Sequence, residues 1–112
     1  MKHMKHPIAL LNTSILTTDG EYTMHTIPVD QARELVQDEA GYISAIGHES
    51  TASILSTLLG VDVPVNRILF EQAVGQQVIV FKLNGRPPEG QILTEAEIKE
   101  IGYSFKLLIR DA

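Results

Sequence analysis

Cysteine is absent from the 112 residues. That excludes disulfides, zinc–thiolate centres and thiol nucleophiles, and it fits a reducing compartment. Long apolar runs are also missing, and none approaches the length that spans a bilayer or forms the core of a secretory signal. No membrane partner is therefore expected, and the chain reads as cytoplasmic. Cations are scarce: 9 Lys and Arg stand against 14 Asp and Glu, for a net charge of −5. Long nucleic acid is not an expected partner, because phosphate-backbone binding needs a surplus of cations to displace counterions. A small anion in a local basic pocket stays compatible with this balance, since a few arginines and a helix N-terminus outweigh a distant field. HExxH, His-x-His, EF-hand and paired-acid patterns are missing, as are a phosphate-cradling Gly-rich loop and a Gly-x-Ser-x-Gly elbow. No metal and no cofactor is expected.

What is present suffices for one core. Hydrophobic residues make up 44% of the chain and charged residues 21%, at a length typical of one domain. Residues 1–7, with their basic Met-Lys-His-Met-Lys-His start, read as a flexible N-terminal tail, and residues 8–112 as one α/β domain. Ile8–Leu11 is an apolar run suited to a buried strand, and Tyr22–Ile27 alternates like a second strand after the Asp19-Gly20 turn. Pro28 and Asp30 open an amphipathic helix with Ala32, Leu35 and Val36 on one face and Arg33, Glu34 and Gln37 on the other. A second helix follows Gly47-His48, buries Ile54, Leu55, Leu58 and Leu59, and stops at Gly60. Arg67–Val74 and Val78–Leu83 read as an antiparallel hairpin turning at Gly75-Gln76. Thr94-Glu-Ala-Glu97 matches a capping box for a short helix ending at Gly102. Tyr103–Ile109 alternates as a last strand. The expected fold class is α/β, a mixed sheet of about five strands with helices packed on it.

His48 stands out by its company. A lone histidine after glycine serves equally well as an ordinary helix start. Here Ser50 and Thr51 share the first turn, where backbone N–H groups lack partners and the helix dipole is positive, so the same turn attracts an anion. A histidine beside a bound phosphate is placed to protonate a leaving oxygen. Arg86 and Glu89 sit in the stiff Arg-Pro-Pro-Glu-Gly loop, readable either as a presented pair or as a solvated ion pair. Arg67, after Asn66, is a second candidate for a phosphate or ribose contact, while Asn12, Ser14 and Lys82 are polar groups near strand ends or faces. Nothing around His3, His6 or His25 demands a role.

Taken in order, Leu11-Asn-Thr-Ser14, Ile46-Gly-His-Glu-Ser-Thr51, Val63-Pro-Val-Asn-Arg67 and Arg86-Pro-Pro-Glu-Gly90 resemble the viral ring nucleases, which act against type III CRISPR immunity. The resemblance runs from about Ile8 to Ile109. It implies a homodimer that binds cyclic tetraadenylate and cleaves it without metal to linear products ending in 2′,3′-cyclic phosphate, switching off the immune signal. It also implies that His48 is the general acid, that Arg86 and Glu89 belong to the active site, and that Asn12, Ser14, Ser50, Thr51, Asn66, Arg67 and Lys82 contact the ligand. Such chemistry agrees with the absences above, because ribose brings its own 2′-OH nucleophile. A binding protein that sequesters the messenger without cutting it is the alternative. An interaction protein with no nucleotide ligand is a third reading.

Overall fold

The structure, a computed structural model, describes residues 7–12, 19–38, 41–68, 70–85 and 93–112. Among them, five strands and three helices follow in the order β1 (Ile8–Leu11), β2 (Tyr22–Ile27), α1 (Val29–Val36), β3 (Tyr42–Ser44), α2 (Glu49–Leu59), β4 (Gln77–Leu83), α3 (Glu95–Ile101) and β5 (Tyr103–Arg110). The strands form one mixed sheet in the order β2-β5-β4-β1-β3. β1 runs parallel to both β3 and β4, while β5 lies antiparallel between β4 and β2. The α/β mixed sheet expected from the sequence is the observed fold.

The pattern of side chains explains the layers. β1 is apolar throughout because it lies between two parallel neighbours, and Ala9 and Leu10 are fully buried. Ile8, Leu10, Ile79, Phe81, Phe105 and Leu107 point to one side of the sheet. There they pack with Ala32 and Val36 of α1, Leu55, Leu58 and Leu59 of α2, and Ile98 of α3. All three helices therefore lie on one face. On the other face Ala9, Val78, Val80 and Leu108 form a smaller cluster, against which Phe70 packs.

Helix ends follow their sequence signals. Thr94 Oγ1 accepts from Glu97 N while Glu97 Oε1 accepts from Thr94 N, completing the capping box. Gly60 ends α2 in the left-handed conformation. Arg33, expected on the solvent face of α1, lies instead at a junction of all three helices. Its Nε donates to Leu58 O at 2.6 Å, and its guanidinium lies 3.5 Å from Asp30 and 3.6 Å from Glu95. A cation on the last turn of α2 matches the negative end of that helix.

One expectation about the sheet needs correction. Residues 67–74 do not form a strand with β4 among the described positions. Ile68 and Phe70 imitate strand alternation, but both edges of β4 are already taken, by β1 and by β5. The segment instead crosses the second face, where buried Gln72 donates to Gln76 O and Leu108 O and Arg110 donates to Gln72 O. The turn at Gly75-Gln76 survives, with Gln76 N bonded to Ala73 O. The strand that takes up the fifth position is β3, three residues long. Of the expected tail, residues 1–6 lie outside the described residues, and Pro7 accepts a hydrogen bond from Gln76 Nε2.

Gly102 turns the chain from α3 into β5 at φ +88° and ψ 147°, a conformation that side chains strongly disfavour. A Cβ there would lie 2.8 Å from Asn84 Nδ2. Gly102→Ala is expected to lower unfolding stability by roughly 1–3 kcal/mol. An unchanged urea midpoint would contradict this account of the turn.

Candidate functional site

The parallel strands β3, β1 and β4 end on the same edge of the sheet, where open α/β sheets tend to bind ligands. At the end of β3 the chain enters the short connection to α2, and that connection is fixed from several sides. Ala45 N donates to Leu10 O at 3.0 Å, Asn66 N to Ile46 O at 2.8 Å and Asn66 Nδ2 to Ser44 O at 2.7 Å. Ser44 Oγ in turn donates to Pro64 O at 2.6 Å. Residues 64–66 thus brace the loop that carries His48.

Gly47 lets a second strand of chain come close. A Cβ at this position would lie 3.2 Å from Arg67 Nε and 3.5 Å from its Cγ, so the arginine stem rests against the glycine. The sequence therefore brings a cation beside the loop using a residue that has no side chain. His48 then takes the N-cap position of α2 in extended conformation, exposed and making no side-chain cap bond. Ser50 is exposed and Thr51 half-buried in the first turn. Ala52 N bonds to His48 O, which leaves the preceding amides as the open donors of this helix end. Among the described residues no carboxylate pairs with Arg67. Glu49 is exposed in the same first turn, where the helix dipole favours an acid.

The structure sorts the sequence-derived residues into two groups. His48, Ser50, Thr51 and Arg67 gather around the N-terminus of α2, with Asn66 as the brace behind them. Asn12 and Lys82 line a separate hollow of about 360 Å³ on the face of the sheet away from the helices, together with Met24, Val80, Ser104 and Lys106. Asn12 follows β1, the strand between β3 and β4, so it stands between the two groups in the strand order. Ser14, Arg86 and Glu89 lie outside the described residues.

Ser104 and Lys106 escaped the sequence reading, although a signal existed. In β5 they alternate with the buried Phe105 and Leu107, so they had to face away from the main core. A hollow of about 450 Å³ lies at the opposite end, lined by Ile8, Gln31, Glu34, Leu35, Asp38, Gly41 and Gln77. Its two carboxylates disfavour an anionic ligand. No group of three His, Asp or Glu positioned to hold a metal ion occurs among the described residues, and no helix among them is long and apolar enough to cross a membrane.

A one-sided α/β domain with an exposed histidine at a braced helix N-terminus is the class that this fold and site define. Residues 8–105 match the STIV B116-like family, and the chain belongs to that family. It is 38% identical over 104 residues to YddF of Bacillus subtilis strain 168, covering 92% of this chain and 96% of that protein. It is 36% identical over 106 residues to ORF117 of Acidianus two-tailed virus, covering 90% of this chain and 91% of the viral protein. The fold matches that of B116 of Sulfolobus turreted icosahedral virus with a TM-score of 0.81, at 23% identity and over 93% of this chain and 99% of B116. The family thus has members in viruses and in a bacterium.

Proposed function

We propose that this protein is a metal-independent ring nuclease that cleaves cyclic tetraadenylate and thereby shuts off type III CRISPR signalling. The observation that carries the reading is His48, exposed and without a hydrogen-bond or ion-pair partner among the described residues, at the N-cap of α2 beside Ser50, Thr51 and Arg67. The first-turn amides, the two hydroxyls and the guanidinium can hold a phosphate diester against this helix end. The ribose 2′-OH attacks phosphorus, the P–O5′ bond breaks, and a 2′,3′-cyclic phosphate forms. The 2′-OH proton passes to solvent or a nearby base, and His48 supplies a proton to the departing O5′. No nucleophile from the protein is needed. By the sequence resemblance, Arg86 and Glu89 complete the active site, the arginine by neutralising developing charge and the glutamate by orienting a hydroxyl or the arginine. The active form on this reading is a C₂ homodimer, because a cyclic tetranucleotide has a two-fold axis that two equivalent half-sites can match.

The test is direct. Incubation with cyclic tetraadenylate in excess EDTA, followed by chromatography and mass measurement, is expected to yield linear oligoadenylates ending in 2′,3′-cyclic phosphate. A ligand-dependent rise in melting temperature without product would instead favour the sequestering protein. Neither product nor a melting shift would sink both.

A further inference from the structure

We infer that Ser44 is a positioning residue for the proposed cleavage, its hydroxyl holding the segment that carries His48 against the segment that carries Arg67. Among the described residues three polar residues are buried, Ser44, Gln72 and Gln76. The two glutamines fasten the chain that crosses the helix-free face. Ser44 is the last residue of β3, just before the connection to α2. Its register partner is Leu10 of the main core, so the side chain stands where an apolar group ordinarily packs. A hydroxyl adds little hydrophobic stabilisation there, and what it contributes is hydrogen bonds of fixed direction.

β3 is an edge strand. Residues 62–64 are attached to it and to α2 by side chains rather than by a strand ladder. Tyr42 Oη donates to Asp62 O, Ser56 Oγ of α2 accepts from Val63 N at 2.9 Å, and Ser44 Oγ donates to Pro64 O at 2.6 Å. Ser44 closes this row with further bonds. Its carbonyl accepts from Asn66 Nδ2 at 2.7 Å, and its Oγ accepts from Ile46 N at 3.4 Å. Asn66 N donates to Ile46 O at 2.8 Å. The two segments are thus locked in register immediately before their working residues, since Gly47 and His48 follow Ile46 and Arg67 follows Asn66. Arg67 Nε then lies 3.2 Å from the place a Cβ on Gly47 would take.

The role rests on the function proposed above, in which one phosphate meets the acid of His48 and the cation of Arg67 together. A misplacement of about 1 Å costs on the order of 10²-fold in rate. Exposed side chains on a connection keep that tolerance only when bonds behind them fix the backbone. Ser44, being buried, acts through these two residues and not on the ligand.

Single-turnover cleavage of cyclic tetraadenylate by Ser44→Ala is expected to slow roughly 10–100-fold. Loss of one buried hydrogen bond should lower the melting temperature by only about 4–8 °C, so the variant stays folded in the assay. Ser44→Thr, which keeps the hydroxyl, should recover the rate. Should Ser44→Ala fail to fold, Ser44→Cys replaces it, with a thiol that is a weak donor. In the His48→Ala background Ser44→Ala should slow cleavage far less, because the group it aligns is already gone. An unchanged rate in Ser44→Ala, or an equal fold loss in both backgrounds, would overturn the positioning role and leave the proposed activity standing. If the unsubstituted chain does not cleave the ring, inorganic phosphate is the second probe, followed by the NMR shifts of the His48 ring and the Arg67 Nε–H. A shared anion moves both signals along one binding curve, and Ser44→Ala should weaken that curve and separate the two. That result would carry the positioning role although the proposed function had failed. Phosphate shifts identical in both chains, or absent from both, overturn it.

Discussion

Replacing His48 by alanine is expected to lower the rate of cyclic tetraadenylate cleavage by roughly 10²–10⁴-fold, the usual range for loss of a general acid. Affinity for the ring should change little. The first-turn amides, Ser50, Thr51 and Arg67 remain to hold the phosphate, and the missing proton matters only as O5′ departs. Stability should also hold within about 0.5 kcal/mol, as for other surface substitutions away from a structural contact. His48 makes no cap bond, and the loop before it is fixed by Asn66 and Ser44 rather than by the imidazole. Single-turnover kinetics beside a binding titration separate these quantities. If His48 merely starts α2, cleavage in the variant stays close to that of the unsubstituted protein, and the mechanism is wrong even where the ligand is right.

Phe105→Ala should act in the opposite sense, on the fold rather than the chemistry. Phe105 is 2% exposed on the interior strand β5, and its ring lies 5.2 Å from that of Phe81 and 5.6 Å from that of Tyr103. Its register partners are Ile27 on one side and Phe81 on the other. Truncation removes the middle ring of this trio and leaves a cavity, which costs roughly 3–5 kcal/mol. A domain of this size has about 5–15 kcal/mol in total, so a large share of the variant should unfold well below the normal midpoint. Phe105→Leu, which fills most of the space, should lose much less. Urea denaturation followed by circular dichroism measures both. A loss under about 1 kcal/mol for the alanine variant would mean that the helical face repacks around the gap, contrary to the close packing described here.

The sequence disclosed those parts of the fold whose cause is local. Thr94 and Glu97 sit three residues apart and bond reciprocally, Gly60 closes α2, and β1 and β5 carry their own apolar patterns. The first turn of α2 was equally legible, because Gly47, His48, Ser50 and Thr51 adjoin one another. Failures came where a distant segment decides the outcome. Residues 67–74 alternate like a strand, yet β1, far earlier in the chain, occupies the edge they would need. Tyr42–Ser44 is too short to announce itself and becomes a strand because β1 pairs with it. Lys106 illustrates the same limit in the hollow on the helix-free face of the sheet. Its facing direction follows from alternation, but its meeting with Lys82 depends on the register between β4 and β5. Arg33 looked like a solvent residue until the helices converged on it.

The ladder between β2 and β5 has a consequence in time. Among the described residues β2 pairs with β5 alone, and Thr23 Oγ1 bonds to Asp111 across a separation of 88 residues. During synthesis at about 5–20 residues per second, β2 therefore waits several seconds after emerging before its partner exists. The order of the sheet sets the same condition for β4, whose antiparallel neighbour is also β5. β5, the last strand of the sheet to be made, thus joins β2 to the other three strands. Folding of this domain is expected to be completed only once β5 has emerged, with the exposed surface of β2 keeping that waiting strand soluble in the meantime.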